Sequence, residues 1–274
     1  MPKKLIRMAI SYDFDGTIAP GNMQEYDFIP ALNMRSKQFW LTVEHLAKVH
    51  EMDPILAYMH TMLDEARKAE VAVRKNDFKK FGEKIVLFPG VKEWFERINS
   101  YAKSKRVRLE HFVISSGIRE MAEGTPIYKE FKKVYASGFM FDHNGVACWP
   151  ALALNYTTKT QYLFRINKGS LDVHDNSVIN KFVPKDQRPI PFEHMIFIGD
   201  GETDIPCMRL VKDQGGYSIA VYNPAKRGTK KQAEQLIDDG RATLVAAADY
   251  RDGSVIDSAV KAIIDKIEAS SRVV

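Results

Sequence analysis

Residues 5–12, Leu-Ile-Arg-Met-Ala-Ile-Ser-Tyr, are mostly apolar, and the chain then turns polar at Asp13-Phe14-Asp15-Gly16-Thr17. An apolar run of that length ending in a glycine turn predicts a short buried strand. Residues 18–30 read as a loop or a small hairpin. The period then changes. Phe39, Trp40, Val43, Leu46, Ala47 and His50 fall on one face of a helix over 34–51. Asp53-Pro54 supplies an N-cap and a first-turn proline, so a second helix starts there and runs to about residue 74. Asn76 caps a shorter one over 77–84. Phe88-Pro89-Gly90 breaks this helical block.

Val91, Trp94, Phe95 and Ile98 then mark a helix over 91–104. A strand over 110–114 ends at Ser115-Ser116-Gly117, followed by a helix over 118–132. Strands near 134–141 and 145–154 flank the turn residues Asn144-Gly145. A helix opens near Thr158-Lys159 and closes at Lys168-Gly169. Residues 170–191 are polar, with three prolines, and read as a loop. Met195-Ile-Phe-Ile-Gly199 is a buried strand ending in Asp200-Gly201, strands follow near 217–222 and 243–247, and a helix spans 254–269. Short apolar strands alternating with helices predict an α/β fold, a parallel sheet with helices on both faces. Such sheets bind ligands beyond the carboxyl ends of their strands. Three strands here end in polar residues of chemical interest: Asp13/Asp15, Ser115, and Asp200/Asp204.

Composition narrows the setting. A chain of 274 residues allows one large domain, or one domain with a substantial insert. No uncharged apolar run approaches the roughly 18 residues of a membrane helix, so no membrane partner is expected. Met1-Pro2-Lys3-Lys4 is basic like a leader, but Arg7, Asp13 and Asp15 interrupt the apolar segment behind it, and a cytoplasmic location is expected. Cys148 and Cys207 lie in unrelated contexts and read as free thiols. Net charge is +5. Basic residues gather at Lys103, Lys105, Arg106, Arg108 and at Lys226, Arg227, Lys230, Lys231. Either cluster suits a nucleic-acid face, a solvated helix end, or a field drawing anionic substrates. No aromatic-interleaved RNA signature accompanies them, so no nucleic-acid partner is expected.

The candidate chemistry lies in the carboxylates. Asp13 and Asp15 are two apart at a strand end and repel, so they need a cation or a shared proton. Asp200 and Asp204 repeat the theme, with Gly199 and Gly201 allowing a sharp bend. Four carboxylates at one sheet edge make a hard oxygen site of the kind magnesium prefers. A lone Asp-x-Asp is usually a turn or cap. The string Asp-x-Asp-Gly-Thr is far rarer, arising by chance in under about one chain in a hundred of this length.

These motifs resemble those of the haloacid dehalogenase (HAD) superfamily of phosphohydrolases. Asp13-Phe14-Asp15-Gly16-Thr17 matches its first motif, the strand ending at Ser115 its second, and Gly199-Asp200-Gly201-Glu202-Thr203-Asp204 its fourth. Its third needs a lysine at a helix start. Lys159 fits, with Lys168 and Lys181 as alternatives. The resemblance implies a Rossmann-like core over 1–18 and 86–274, and a C1-type helical cap over 19–85 inserted after the first strand. It implies a magnesium-dependent phosphomonoesterase acting on a small phosphorylated substrate through an aspartyl-phosphate. Asp13 is then the nucleophile and Asp15 the acid and base. Ser115, Lys159 and the backbone at Phe14 and Gly16 hold the phosphate. Asp13, the carbonyl of Asp15 and Asp200 hold Mg2+, and Asp204 orients Lys159 or a metal-bound water. An acid at position 15 fits phosphatases and phosphomutases rather than true dehalogenases, which lack one there.

Rival readings are a phosphotransferase or phosphomutase on the same site, and a non-catalytic binding module of the same fold. Met34, Met52, Met59 and Met62 read as packing or as the lining of a pocket under the cap. Trp40, Trp94 and Trp149 read as packing anchors. His45, His174 and His194 lack a partner pattern, and Glu202 reads as a solvated turn residue or as one that touches a metal shell through water. Arg119 suits either substrate or a surface ion pair. Nothing marks Lys37 or Lys48 for a Schiff base.

Overall fold

The computed structural model describes residues 5–177 and 179–272. The basic tetrapeptide Met1–Lys4 lies outside the described residues. β1 (Ile6–Tyr12) is the strand of the first apolar run. After it, the expected loop or hairpin is a 3-10 turn at Met23–Glu25 and a single-turn helix, α1 (Phe28–Ala31). Met23, Phe28 and Ile29 turn into the core, which a surface hairpin would not allow.

The helical block follows as α2 (Ser36–Val49), α3 (Pro54–Lys68) and α4 (Lys75–Glu83). Asp53 caps α3, its Oδ1 accepting from the amides of Ile55 at 2.9 Å and Leu56 at 3.1 Å. α3 stops short of residue 74 because the chain leaves helical space at Glu70, where φ is +54°. α4 is entered at Arg74 rather than Asn76, with Asp77 Oδ2 accepting from the Arg74 amide at 3.2 Å.

α5 (Val91–Ser104) leads into β2 (Val107–Ile118), which is longer than predicted because it continues through Ser115-Ser116-Gly117. The helix expected over 118–132 is only one turn, α6 (Arg119–Ala122), followed by a 3-10 turn at Tyr128–Glu130. Gly124 is the reason. A Cβ there would lie 1.9 Å from the Lys79 carbonyl oxygen, so the chain is held against α4 where a continuing helix would place side chains. β3 (Lys133–Phe141) and β4 (Ala147–Leu152) form the predicted hairpin, and Gly145 adopts the positive φ its turn needs.

α7 (Lys159–Lys168) ends at the left-handed Gly169. After β5 (Met195–Gly199) come α8 (Ile205–Asp213), β6 (Tyr217–Tyr222), α9 (Thr229–Asp238), β7 (Leu244–Ala247) and α10 (Val255–Ser270). Periodicity alone does not delimit α8 or α9. α9 buries only Ala233 and Leu236, too few apolar positions to set a phase.

The seven strands form one sheet in the order β4-β3-β2-β1-β5-β6-β7, parallel except for the edge strand β4. Alternation sorts side chains to two faces. Met8, Ile10 and Tyr12 of β1, with Ile196 and Ile198 of β5, join the cluster that includes α5, α10 and the helical block. Ala9, Phe112, Ile114, Met195 and Phe197 join the cluster under α7, α8 and α9. The α/β fold with helices on both faces and a helical cap inserted after the first strand is therefore what the sequence folds into.

One polar chain crosses the first cluster. Trp94 Nε1 donates to Tyr12 Oη at 2.8 Å, Tyr12 Oη lies 2.9 Å from His111 Nδ1, and His111 Nε2 lies 3.0 Å from Asn99 Oδ1. The direction of donation assigns a neutral imidazole with its proton on Nε2. Burial holds that ring well below its ordinary pKa, at about 3. Among the described residues no helix is long and apolar enough to cross a membrane.

Candidate active site

β1 is the strand at which the order reverses, with β2 on one side and β5 on the other, so the crevice of this sheet opens beyond its carboxyl end. Asp13 is the first residue past β1, and its amide donates to Ile198 O at 2.9 Å. Ser115 lies on β2, and Asp200 follows β5. The first-turn residue of α7, Lys159, reaches the same point and is fully enclosed. Its Nζ lies 2.8 Å from Asp204 Oδ1, 3.3 Å from Asp13 Oδ1 and 3.2 Å from Thr203 Oγ1. Of the three candidate lysines it is the one brought to the carboxylates. Lys168 instead donates to the carbonyls of Ile179 and Lys181 in the loop after α7.

The remaining contacts fix each acid. Asp204 Oδ2 accepts from the amides of Asp200 at 3.2 Å and Gly201 at 3.3 Å, while Oδ1 takes Lys159. Asp15 Oδ1 accepts from the Met23 amide at 3.0 Å, which ties the first motif to the start of the insert. Asp200 Oδ1 accepts from Thr17 Oγ1 at 3.4 Å. Gly16 is required where it stands. Its φ is +75°, and a Cβ would lie 2.0 Å from Asp200 Oδ2.

The backbone turn departs from expectation in one respect. The Gly16 amide is donated to Ala19 O at 2.7 Å, so it is not open to a phosphate. Among the described residues no backbone carbonyl accepts from the amides of Phe14 or Asp15. Ser115 Oγ accepts from the Gly117 amide at 3.1 Å and keeps its own proton to donate.

Electrostatics follow from burial and crowding. Burial, then the neighbouring Asp13 charge, pushes Asp15 well above the usual carboxylate range, and the Met23 amide opposes this. Burial, Asp204 and Asp13 do the same to Asp200. Burial would lower Lys159, but Asp13 and Asp204 outweigh it and hold the ammonium charged. Burial raises Asp204, with Asp13 adding to the effect and Lys159 opposing it.

Oxygens of Asp13, Asp200 and Asp204 lie within 4.8 Å of one another, close enough to share a metal ion. The donor set fits a small hard cation: all are carboxylates, and among the described residues the buried Asp13 Oδ1 has only the Lys159 ammonium, at 3.3 Å, beside it. The Asp15 carboxylate stands outside this trio, so any part it has in holding metal falls to its main chain.

A cleft of 1410 Å3 opens over these residues, walled on one side by the insert and on the other by the β6–α9 region. Trp40, which reads from sequence as packing, lines it, as does Tyr58, which no pattern marks. Trp94 is a buried anchor, whereas Trp149 is 65% exposed. Met59 and Met62 are fully buried packing residues rather than pocket lining. Arg119 makes an ion pair, Nη2 to Glu120 Oε1 at 2.7 Å. Cys148 and Cys207 are free, as expected.

Sheet order, insert and acidic centre together define an α/β protein with a helical cap and a carboxylate-rich site beyond its central strand. The family model described as haloacid dehalogenase-like hydrolase matches residues 10–209, and the chain belongs to that family. An uncharacterized protein of Borreliella burgdorferi is 28% identical over 274 residues, covering 90% of this chain and 93% of its own. Among solved structures, a substrate-bound phosphoserine phosphatase complex is 13% identical with a TM-score of 0.56, over 88% of this chain and 93% of that one. A phosphoserine phosphohydrolase-like protein from Francisella tularensis is 19% identical with a TM-score of 0.54, over 92% and 98%. For a HAD family hydrolase from Salmonella enterica the values are 16% and 0.53, and the chain spans 65% of that structure's length. At these identities the likeness is one of fold.

Proposed function

We propose that this protein is a magnesium-dependent phosphomonoester hydrolase that acts on a small phosphorylated metabolite through an aspartyl-phosphate. The observation that carries this reading is Lys159, a buried ammonium set between Asp13 and Asp204 at the carboxyl end of the central strand. A fixed positive charge there offsets the charge of Asp13 and of an incoming phosphate.

Asp13 attacks phosphorus, the ester P–O bond breaks, and Asp15 gives the leaving oxygen its proton. Asp15 then takes a proton from water, the water oxygen attacks phosphorus, and the Asp13–phosphorus bond breaks to release phosphate. Ser115 Oγ and the amides of Phe14 and Asp15 hold phosphoryl oxygens. Asp13, Asp200 and the main-chain carbonyl of Asp15 would hold Mg2+, which when bound screens the phosphate from the attacking carboxylate. Asp204 holds Lys159 in place. Residues 19–85 form a cap that shields the reaction from water, over a core of 1–18 and 86–274. The free thiols accord with a cytoplasmic location.

The test is phosphate release from a panel of small phosphomonoesters, with magnesium, with chelator, and with Asp13→Asn. The reading predicts magnesium-dependent release that falls by at least about a thousandfold in the variant. Release that survives in Asp13→Asn overturns Asp13 as nucleophile. Transfer of most of the phosphate to an added alcohol instead of water makes the enzyme a phosphotransferase.

A further inference from the structure

The cleft has walls of opposite character. On the core side its rim carries Lys226, Lys231 and Arg241. On the cap side, among the described residues, its lining includes Glu25 and Glu44 and no lysine or arginine. The leaving group faces the cap side, because Asp15 does. The Asp15 carboxylate is bonded to the Met23 amide, two residues before Glu25, and Tyr26 feels the charges of both Asp15 and Glu25.

That wall is built rather than merely acidic. Glu25 Oε1 accepts from Trp40 Nε1 at 2.6 Å and from Asn22 Nδ2 at 2.9 Å, which fixes the carboxylate. Among the described residues Oε2 has no hydrogen-bond donor. The rings of Trp40 and Tyr58 meet at 65° with centroids 6.1 Å apart, and both line the cleft. Gln24, 2% exposed and lining the same space, has its buried Oε1 without a partner. Two carboxylates and two aromatic rings offer acceptors and π-faces. None of these groups carries the positive charge a carboxylate would need beside it.

Resting on the phosphatase reading above, we propose that the leaving group is a small amino alcohol carrying a positive charge and no carboxylate. Its ammonium group lies against Trp40 and Tyr58 and is neutralised by Glu25, with Glu44 adding to the field. A carboxylate on the same leaving group would meet Glu25 and Glu44 with no cation to receive it, and like charges brought together in a closed site are strongly disfavoured. O-phosphoethanolamine and O-phosphoserine differ by that one group, so the cap wall separates them.

The test compares four esters: O-phosphoethanolamine, phosphocholine, O-phosphoserine, and the neutral carbon isostere of phosphocholine with a tert-butyl head. Two readouts run in parallel, kcat/KM of the wild type and calorimetric affinity for Asp13→Asn with magnesium. The better of the two cationic esters should exceed both the isostere and phosphoserine by at least about tenfold in each. Glu25→Gln should shrink the ratio of cationic ester to isostere to within about threefold. If Glu25→Gln does not fold by circular dichroism, Glu44→Gln serves, and should narrow the same ratio. Equal handling of the isostere, or a preference for phosphoserine, overturns the proposal and leaves the phosphatase reading intact. Absence of turnover for every ester, with a cation preference kept in binding, removes the hydrolase reading and supports the proposed recognition. Absence of preference in both readouts overturns it.

Discussion

Lys159 has no exposed surface, and its charge is stable only because Asp13 and Asp204 face it. Removing one partner of such a cluster leaves the others buried and uncompensated, at a cost of about 3–5 kcal/mol. Lys159→Met should lower the urea-unfolding free energy by that amount. A change under about 1 kcal/mol would mean that solvent reaches the cluster and that the lysine is not its anchor. At this scale legibility follows locality. Asp13, Asp15, Asp200 and Asp204 are legible because each motif is a few consecutive residues after an apolar strand. The choice of Lys159 over Lys168 rests in the sequence on a helix start, and only the folded chain shows its three contacts. The Gly16 amide escapes a sequence reading because a turn hydrogen bond to Ala19 leaves no mark in the residue types. Trp40 reads as packing because helical spacing reports a face, not what stands opposite it.

At the scale of elements, β1 is locked to α5 and β2 by the chain from Trp94 through Tyr12 and His111 to Asn99. His111 stays neutral in the fold down to about pH 3, whereas the unfolded ring takes a proton near 6.5. The folded pKa is the lower one, so the stability from this site is complete above pH 6.5 and lost as pH falls below it. Linkage sets the slope at about 1.4 kcal/mol per pH unit, or about 2 kcal/mol by pH 5. Urea titrations at pH 7, 6 and 5 should show that decline, and His111→Gln should remove this share of it. The same slope in the variant would show that other groups cause the acid loss. The elements themselves are largely legible from period, and the failures have physical causes. α6 stops after one turn because Gly124 must touch the Lys79 carbonyl, a tertiary contact. α3 stops early at a positive φ that Glu70 adopts without advertising it.

Across the whole molecule, the insert is bound to the core around the site. Asp53, the cap of α3, also accepts from Asn155 Nδ2 at 2.8 Å, four residues before Lys159, and Tyr58 donates to the Ser116 carbonyl. The two basic clusters diverge in a way that composition does not reveal. Lys105 and Arg108 are paired with Asp265 and Glu110, whereas Lys226 and Lys231 line the cleft. The second cluster therefore lies where a field drawing phosphate to the site would act.

The proposed reaction passes through a covalent phosphate on Asp13. The most direct measurement is acid quench of the enzyme with magnesium and a turning-over phosphomonoester, then borohydride reduction and peptide mapping by mass spectrometry. An acyl phosphate is reduced to an alcohol, so homoserine is expected at position 13 in the quenched sample and aspartate in a control lacking substrate. Phosphate release with position 13 unmodified, or modification at another carboxylate, would contradict it.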